Sequence, residues 1–227
     1  MKEASKTKVY FGLLEEKVFK GKGIDIGCGN DPILDNVERF DIEDGDANQI
    51  GKYVKKQFDF VFSSHCLEHM KNPFSAIQQW WNLVKEGGYL YIIVPDEDLY
   101  EHGQFPSKYN TDHKWTFTFL KQKETNIRSV NIIELLSSLR YARILKIEVQ
   151  DNNYNYLLEE TDQTLGNATA QICCCIQKSE KYKNIDYAFK NQFLQKIILL
   201  INCFFINFVI LLDTILKKIK SIVLRKR

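Results

Sequence analysis

Apolar residues fall in short dense runs divided by polar turns, and this spacing predicts alternating strands and helices. FDFVFSS (58–64) and YLYIIVP (89–95) are apolar enough to be strands buried on both faces, as parallel sheets require. Between them, NPFSAIQQWWNLVKEGG reads as a helix with Pro73 in its first turn and Gly87-Gly88 as its stop. GKGIDIGCGNDP is a short strand entering a glycine turn, and VERFDIE (37–43) is a second strand. Residues 5–17 predict a short amphipathic helix with Val9, Leu13 and Val18 near one face. Trp80-Trp81 lie mid-helix among apolar neighbours and read as packing.

From 96 to 128 the pattern breaks into a polar, aromatic-rich stretch with little regular structure, the kind of long irregular segment that usually serves function. VNIIELLSSL (130–139) resumes as a helix. ARILKIEVQ and ATAQICCCIQK follow as strands expected to pair antiparallel, joined by the polar segment 151–168. The fold class is therefore α/β, a Rossmann-like, mostly parallel sheet with an antiparallel C-terminal hairpin. Residues 1–183 form the expected domain, and 184–227 an apolar, then basic, C-terminal helix.

A net charge of +2 gives no reason to expect nucleic acid as a partner. The average conceals Lys217, Lys218, Lys220, Arg225, Lys226 and Arg227 at the end of the chain. Six cysteines show no zinc-type spacing; Cys173, Cys174 and Cys175 are consecutive, so on a strand they alternate faces and cannot clamp one ion. They read as small buried hydrophobes, and no metal is expected. MKEASKTKVYFGLLEEK has no apolar signal core, which together with the cysteines assigns the body of the protein to a reducing cytoplasm.

Asp25-Ile26-Gly27-Cys28-Gly29 closes the first strand. Its glycines permit a tight turn and a close backbone approach to a ligand, at the carboxyl edge where open α/β sheets bind theirs. Twelve residues on, Asp41 ends the second strand and can accept hydrogen bonds from both hydroxyls of a ribose. Asp46-Ala47 follow in a polar turn placed to read an adenine amino group.

In order and spacing, these segments resemble the class I S-adenosylmethionine-dependent methyltransferases. IDIGCGNDP is similar to their first motif, VERFDIE to the second, FDFVFSSHCLEHM to the fourth-strand motif, and NPFSAIQQWWNLVKEGGYLYIIVPDEDLYE to their helix, Lys-x-Gly-Gly and strand segment. The resemblance covers roughly residues 20–180 and implies S-adenosylmethionine as cofactor. It places Gly27 and Gly29 against the cofactor backbone, with Asp25 ordering the turn, Asp41 on the ribose and Asp46 with Ala47 at the adenine. Ser63, Ser64 and His65 would lie near the sulfonium and the acceptor. Two departures stand out: Asp31 replaces the family's third glycine, and only seven residues separate Gly29 from the second strand, too few for the usual helix. The shortened form resembles a subgroup associated with bacterial cell-surface glycan synthesis, which implies a glycan or lipid-linked precursor as acceptor.

Methyl transfer mainly needs alignment and exclusion of water, and a hydroxyl acceptor adds the need for a base. His65, after the strand end, and His113, in the irregular stretch, are the candidate catalytic groups. His69 reads as structural. Asp96 and Trp115 are the candidate substrate contacts, a carboxylate for sugar hydroxyls and a ring for an apolar sugar face; Glu97 and Asp98 read as a solvated loop and Phe117 as packing.

FLQKIILLINCFFINFVILLDTILKKIKSIVLRKR is shorter in its apolar run than a spanning helix needs and gathers its polar residues on one side. This predicts attachment to the cytoplasmic face of a membrane, with an interfacial helix favoured over a spanning one. Two other readings compete. A nicotinamide-dependent oxidoreductase wants a glycine where Pro32 stands. A non-catalytic, membrane-attached scaffold would keep the fold without turnover. The oligomeric state is open.

Overall fold

The computed structural model describes residues 3–119, 128–158 and 161–179. The expected C-terminal helix lies outside the described residues. In chain order the described strands are β1 (Gly23–Ile26), β2 (Glu38–Phe40), β3 (Phe58–Ser64), β4 (Val84–Pro95), β5 (Thr116–Thr118), β6 (Ser129–Asn131), β7 (Ala142–Gln150) and β8 (Gln171–Lys178). The α-helices are α1 (Glu3–Lys8), α2 (Leu13–Val18), α3 (Pro73–Asn82) and α4 (Ile132–Ser137).

The main sheet runs β2-β1-β3-β4-β8-β7. Its first four strands are parallel, and β8 pairs antiparallel with both β4 and β7. The expected mixed sheet and its C-terminal hairpin are both present. A separate parallel pair joins β5, inside the stretch expected to be irregular, to β6, which follows it.

Alternation along the strands splits the core in two. Ile24, Ile26, Val61, Leu90, Ile92 and Cys174 pack with Trp80, Trp81 and Leu135 on one face. Phe60, Phe62, Tyr91, Ile93, Cys173 and Cys175 pack with Ala4, Val18 and Phe19 on the other. The consecutive cysteines thus alternate between the two layers, and burial of each large apolar side chain contributes roughly 1.5–3 kcal/mol. Trp80 and Trp81 are both packed, their ring N–H groups donating to the carbonyls of Ala47 (3.0 Å) and Arg140 (2.9 Å).

Several boundaries differ from those expected. The helix over 5–17 is two helices, because the amide of Gly12 bonds the Glu15 carboxylate (3.0 Å) and starts a new turn. Val9 and Leu13 are 72% and 85% exposed, and Ala4 and Thr7 face inward instead. The tryptophan helix stops at Asn82, before the glycines. The Phe58 amide takes the Leu83 carbonyl (2.7 Å) into the sheet, and Lys178 Nζ caps the carbonyls of Trp81 (3.0 Å) and Val84 (2.9 Å). Gly87-Gly88 fall inside β4, where its register against β3 slips between Phe58 and Phe60. β2 ends at Phe40, because the carbonyl of Asp41 accepts from Asp44 and Gly45 in a turn. Val130 belongs to β6, and α4 begins after Asn131, whose side chain accepts from the Ile133 amide (2.9 Å). No helix joins β1 to β2, as the short spacing predicts.

Candidate functional site

From β1 the chain passes to β2 on one side and to β3 on the other, so the strand order reverses at β1. Ligands of open α/β sheets occupy the crevice at such a reversal, beyond the carboxyl ends of the strands. Two adjoining cavities lie there, of about 750 and 260 Å³, sharing Gly27, His65 and His69 as walls. Asp41, Asp46, Ala47 and Tyr53 line the larger; Asp25, Gly29, Ser64, Glu68 and His113 line the smaller.

The turn after β1 is built by its neighbours. Gly27 donates to the Phe40 carbonyl (2.8 Å) at φ +76°, and a Cβ there would sit 2.6 Å from Cys66 Sγ. Only glycine fits. Gly29 has φ +52°, its amide donates to Asp41 Oδ2 (2.5 Å), and the space where a Cβ would stand is open. Asp25 Oδ2 accepts from the Ile33 amide (2.7 Å), which orders the turn, while its Oδ1 has no partner. Burial pushes the Asp25 carboxyl up to about 7 against the pull of the Ile33 amide, and the charges of Asp31 and Asp41 add to the rise. Asp46 Oδ1 accepts from the amide and side chain of Asn48 (2.9 and 2.7 Å), capping a short 3-10 helix over Ala47–Lys52. Those bonds hold its carboxyl below the usual range.

The orphaned Asp25 Oδ1 and Ser64 hydroxyl at the smaller cavity, together with the open space at Gly29, fit an elongated ligand with a polar end. Asp31, in place of the third glycine, accepts from the amide of Ser5 (2.8 Å) and also from its hydroxyl, holding the N-terminal helix against the smaller cavity.

Three expected site residues are not brought to the cleft. Ser63 is 1% exposed and donates to the Ile26 carbonyl (2.9 Å), because strand alternation turns it away from the face of Ser64. Asp96 is buried, and its Oδ1 caps the following turn through the amides of Asp98 (2.9 Å) and Leu99 (3.0 Å). Trp115 donates to the Met70 carbonyl (3.0 Å) and carries the Arg128 guanidinium on its ring. None of the three lines either cavity. Glu97 is not a solvated loop residue: it is fully buried and accepts from the hydroxyls of Thr116 (2.6 Å) and Ser129. Phe117 is packed in the core, as expected.

His65 stands in the left-handed region at φ +50°, which costs a non-glycine residue on the order of 1 kcal/mol or more and is common at functional sites. Its Nε2 meets Gln171 Oε1 at 2.9 Å. His113 Nδ1 meets Glu101 Oε1 at 2.6 Å. Burial lowers the His113 pKa, but the bond to Glu101 and the charge of Glu68 outweigh it and hold the imidazole above its usual value. His69 Nδ1 faces the Asp112 carbonyl (3.2 Å), the structural bond expected of it, but His69 also lines both cavities. Glu68 and Glu101 escaped the sequence reading. Leu67-Glu68-His69 offers a hint only in being flanked by histidines, and no local signal marks Glu101.

Residues 9–131 match the family described as "Methyltransferase domain", and the chain belongs to that family. No curated protein sequence matches it. Among solved structures, one described as "Conversion of a Disulfide Bond into a Thioacetal Group during Echinomycin Biosynthesis" has a TM-score of 0.50 at 10% identity, covering 82% of this chain and 86% of that one. An S-adenosylmethionine-dependent methyltransferase from Clostridium acetobutylicum has a TM-score of 0.49 at 10% identity over 79% and 92% of the two chains. The plantazolicin methyltransferase BpumL, solved with SAH, has 0.45 at 17% over 78% and 83%. The chain thus carries a methyltransferase domain. Among the described residues no helix is long and apolar enough to cross a membrane.

Proposed function

We propose that this methyltransferase uses S-adenosylmethionine and methylates a hydroxyl of a glycan or lipid-linked cell-surface precursor. The observation that carries the cofactor assignment is the bond between Gly29, which lines the smaller cavity, and Asp41, which lines the larger. It sets a turn with open space beside a carboxylate that retains free lone pairs for a ribose. Asp46 and Ala47 would border the adenine, and Asp25, Gly27, Gly29 and Ser64 the methionine end. When bound, the cofactor supplies a methyl group on a cationic sulfur that departs as a neutral thioether.

His65, which lines both cavities, would take the acceptor proton. His113 is buried and its Nδ1 is already engaged by Glu101 (2.6 Å), so it is the less available of the two. With Asp96 and Trp115 outside the cleft, the acceptor class rests on the shortened Gly-Cys-Gly to Asp41 segment and its subgroup resemblance. Residues 184–227 would bring the domain to the cytoplasmic face of a membrane, to be checked by flotation with anionic vesicles.

The primary test is calorimetric binding of S-adenosylmethionine and S-adenosylhomocysteine to the full chain. Micromolar affinity that Asp41→Ala weakens tenfold or more, about 1.4 kcal/mol, supports the reading. A folded chain that binds neither overturns it and brings the non-catalytic scaffold forward.

A further inference from the structure

The carboxylate of Glu68 is fully buried, and neither of its oxygens has a hydrogen-bond partner. A buried carboxylate left in this state costs several kcal/mol, so such groups are found paired or bound to metal. The imidazoles around it do not supply the pairing: His65 Nδ1 lies 3.7 Å from Glu68 Oε1, His69 Nε2 3.9 Å and His113 Nε2 4.0 Å, all beyond hydrogen-bond range.

The orientation of the His69 and His113 rings explains their gap. His113 Nδ1 is engaged by the Glu101 carboxylate (2.6 Å), and His69 Nδ1 by the backbone carbonyl of Asp112 (3.2 Å). Both partners are acceptors, so in a neutral ring the proton sits on Nδ1 and the Nε2 lone pair faces Glu68. Three electron-rich atoms then converge on one point with no hydrogen between them. One ligand atom from each of Glu68, His69 and His113 lies within 4.8 Å of the others.

We infer that Glu68, His69 and His113 form a binding site for a divalent transition-metal ion, with Zn²⁺ as the best match, opening onto the cleft. Two imidazoles and one carboxylate are a donor set that zinc takes in open sites, which keep a fourth position for an oxygen ligand. Ligand atoms in a tetrahedral zinc site stand roughly 3.3 Å apart, from bonds of about 2.0–2.1 Å. Closure from separations of 3.9 Å up to 4.8 Å therefore asks each side chain to move by about an ångström or less. Glu101 is then the outer carboxylate that holds a ligating histidine by its second nitrogen, an arrangement that recurs around bound metals. The assignment makes His113 a ligand instead of a base and leaves His65 as the proton acceptor. All three ligands line the smaller cavity, so the fourth position is open to water or an acceptor hydroxyl, whose proton the ion would loosen. That role rests on the methyl-transfer reading; the site itself does not.

The test uses the full chain without a histidine tag, stripped with chelator and titrated with Co²⁺ and then Zn²⁺. One Co²⁺ per chain should give visible d–d absorption without a thiolate band, and Zn²⁺ should abolish it. Zn²⁺ should also raise the Tm of the native chain in a concentration-dependent way. Glu68→Gln and His69→Gln should each weaken binding at least 100-fold, and Glu101→Gln about 10- to 100-fold. Glu68→Gln removes a buried charge, so in the absence of metal its Tm should match or exceed that of the native chain. Stoichiometric binding that survives Glu68→Gln, a thiolate band, or no binding by the folded native chain overturns the site. S-adenosylhomocysteine binding on the same samples separates the two readings. Its retention without metal binding removes only the site, and its absence with metal bound removes only the methyltransferase role.

Discussion

The amide of Gly29 donates to Oδ2 of Asp41 across 2.5 Å, joining the turn after β1 to the residue that leaves β2. The other oxygen, Oδ1, accepts from the Ile42 amide (2.7 Å), so the carboxylate is fixed by backbone before any ligand arrives. Asp41→Asn keeps one acceptor for Gly29 but loses the charge and the second oxygen. The expected outcome is a stability change within about 1 kcal/mol and a roughly tenfold loss of S-adenosylhomocysteine affinity, read by thermal melting and calorimetry. Unchanged affinity would remove Asp41 from the ribose role.

Gly27 and Gly29 share a left-handed backbone but differ in what surrounds them. A methyl at Gly29 meets nothing within 4 Å, whereas one at Gly27 collides with Cys66. Gly29→Ala should cost about 1 kcal/mol of stability from conformation alone. It should also lose cofactor affinity, since its methyl occupies the space proposed for the ligand. Gly27→Ala should cost clearly more stability, because strain and collision add. Denaturant titrations of the two variants, compared at equal m-value, check the order.

Asp25 gives a pH signature. Its folded-state pKa of about 7 lies above the ordinary 3.8, so between these values the folded chain holds more protons than the unfolded one. Stability therefore falls as pH rises through that window, by at most roughly 4 kcal/mol at 1.36 kcal/mol per unit, and the contribution levels off above it. Asp25→Asn should flatten the slope in pH-dependent melting. A cation placed beside the orphaned Oδ1 lowers the carboxyl's pKa, so binding S-adenosylmethionine at about pH 6 should release a proton. Calorimetry in buffers of different ionisation enthalpy measures that release, and none is expected from Asp25→Asn.

The sheet was legible because its central strands are buried on both faces, so FDFVFSS and YLYIIVP stand out by composition alone. The turn after β1 was legible because its glycines and the strand-end acid Asp41 are local in sequence. Helix limits were not: α3 ends where the Phe58 amide and Lys178 compete for its carbonyls, and both lie far from Asn82 in sequence. The polar surroundings of the cleft beyond that turn were less legible. Asp96 and Trp115 have the right chemistry at the right edge but point into caps and packing, while Glu68 and Glu101 gain their meaning only through histidines brought close by the fold.

Glu97 and Asp98 are neighbours with opposite environments. Glu97→Ala strips an acceptor from the buried hydroxyls of Thr116 and Ser129 and should destabilise the chain by about 2–4 kcal/mol. Asp98 is exposed, and its replacement by alanine should stay within about 0.5 kcal/mol. Equal midpoints for the two variants in urea would contradict the burial of Glu97.

His65 separates catalysis from architecture because its backbone favours glycine. At φ +50°, His65→Gly relieves left-handed strain while giving up the bond to Gln171, so the folded state should lose no more than about 1 kcal/mol. If His65 takes the acceptor proton, the same variant should retain cofactor affinity within a few fold. It should also lose roughly 10²- to 10⁴-fold in turnover, along with the acidic limb of its pH–rate profile. A histidine that merely closes the turn predicts the reverse, normal turnover with a shifted melting point. Measuring both on one variant distinguishes the two, since glycine adopts the left-handed backbone of this turn without strain.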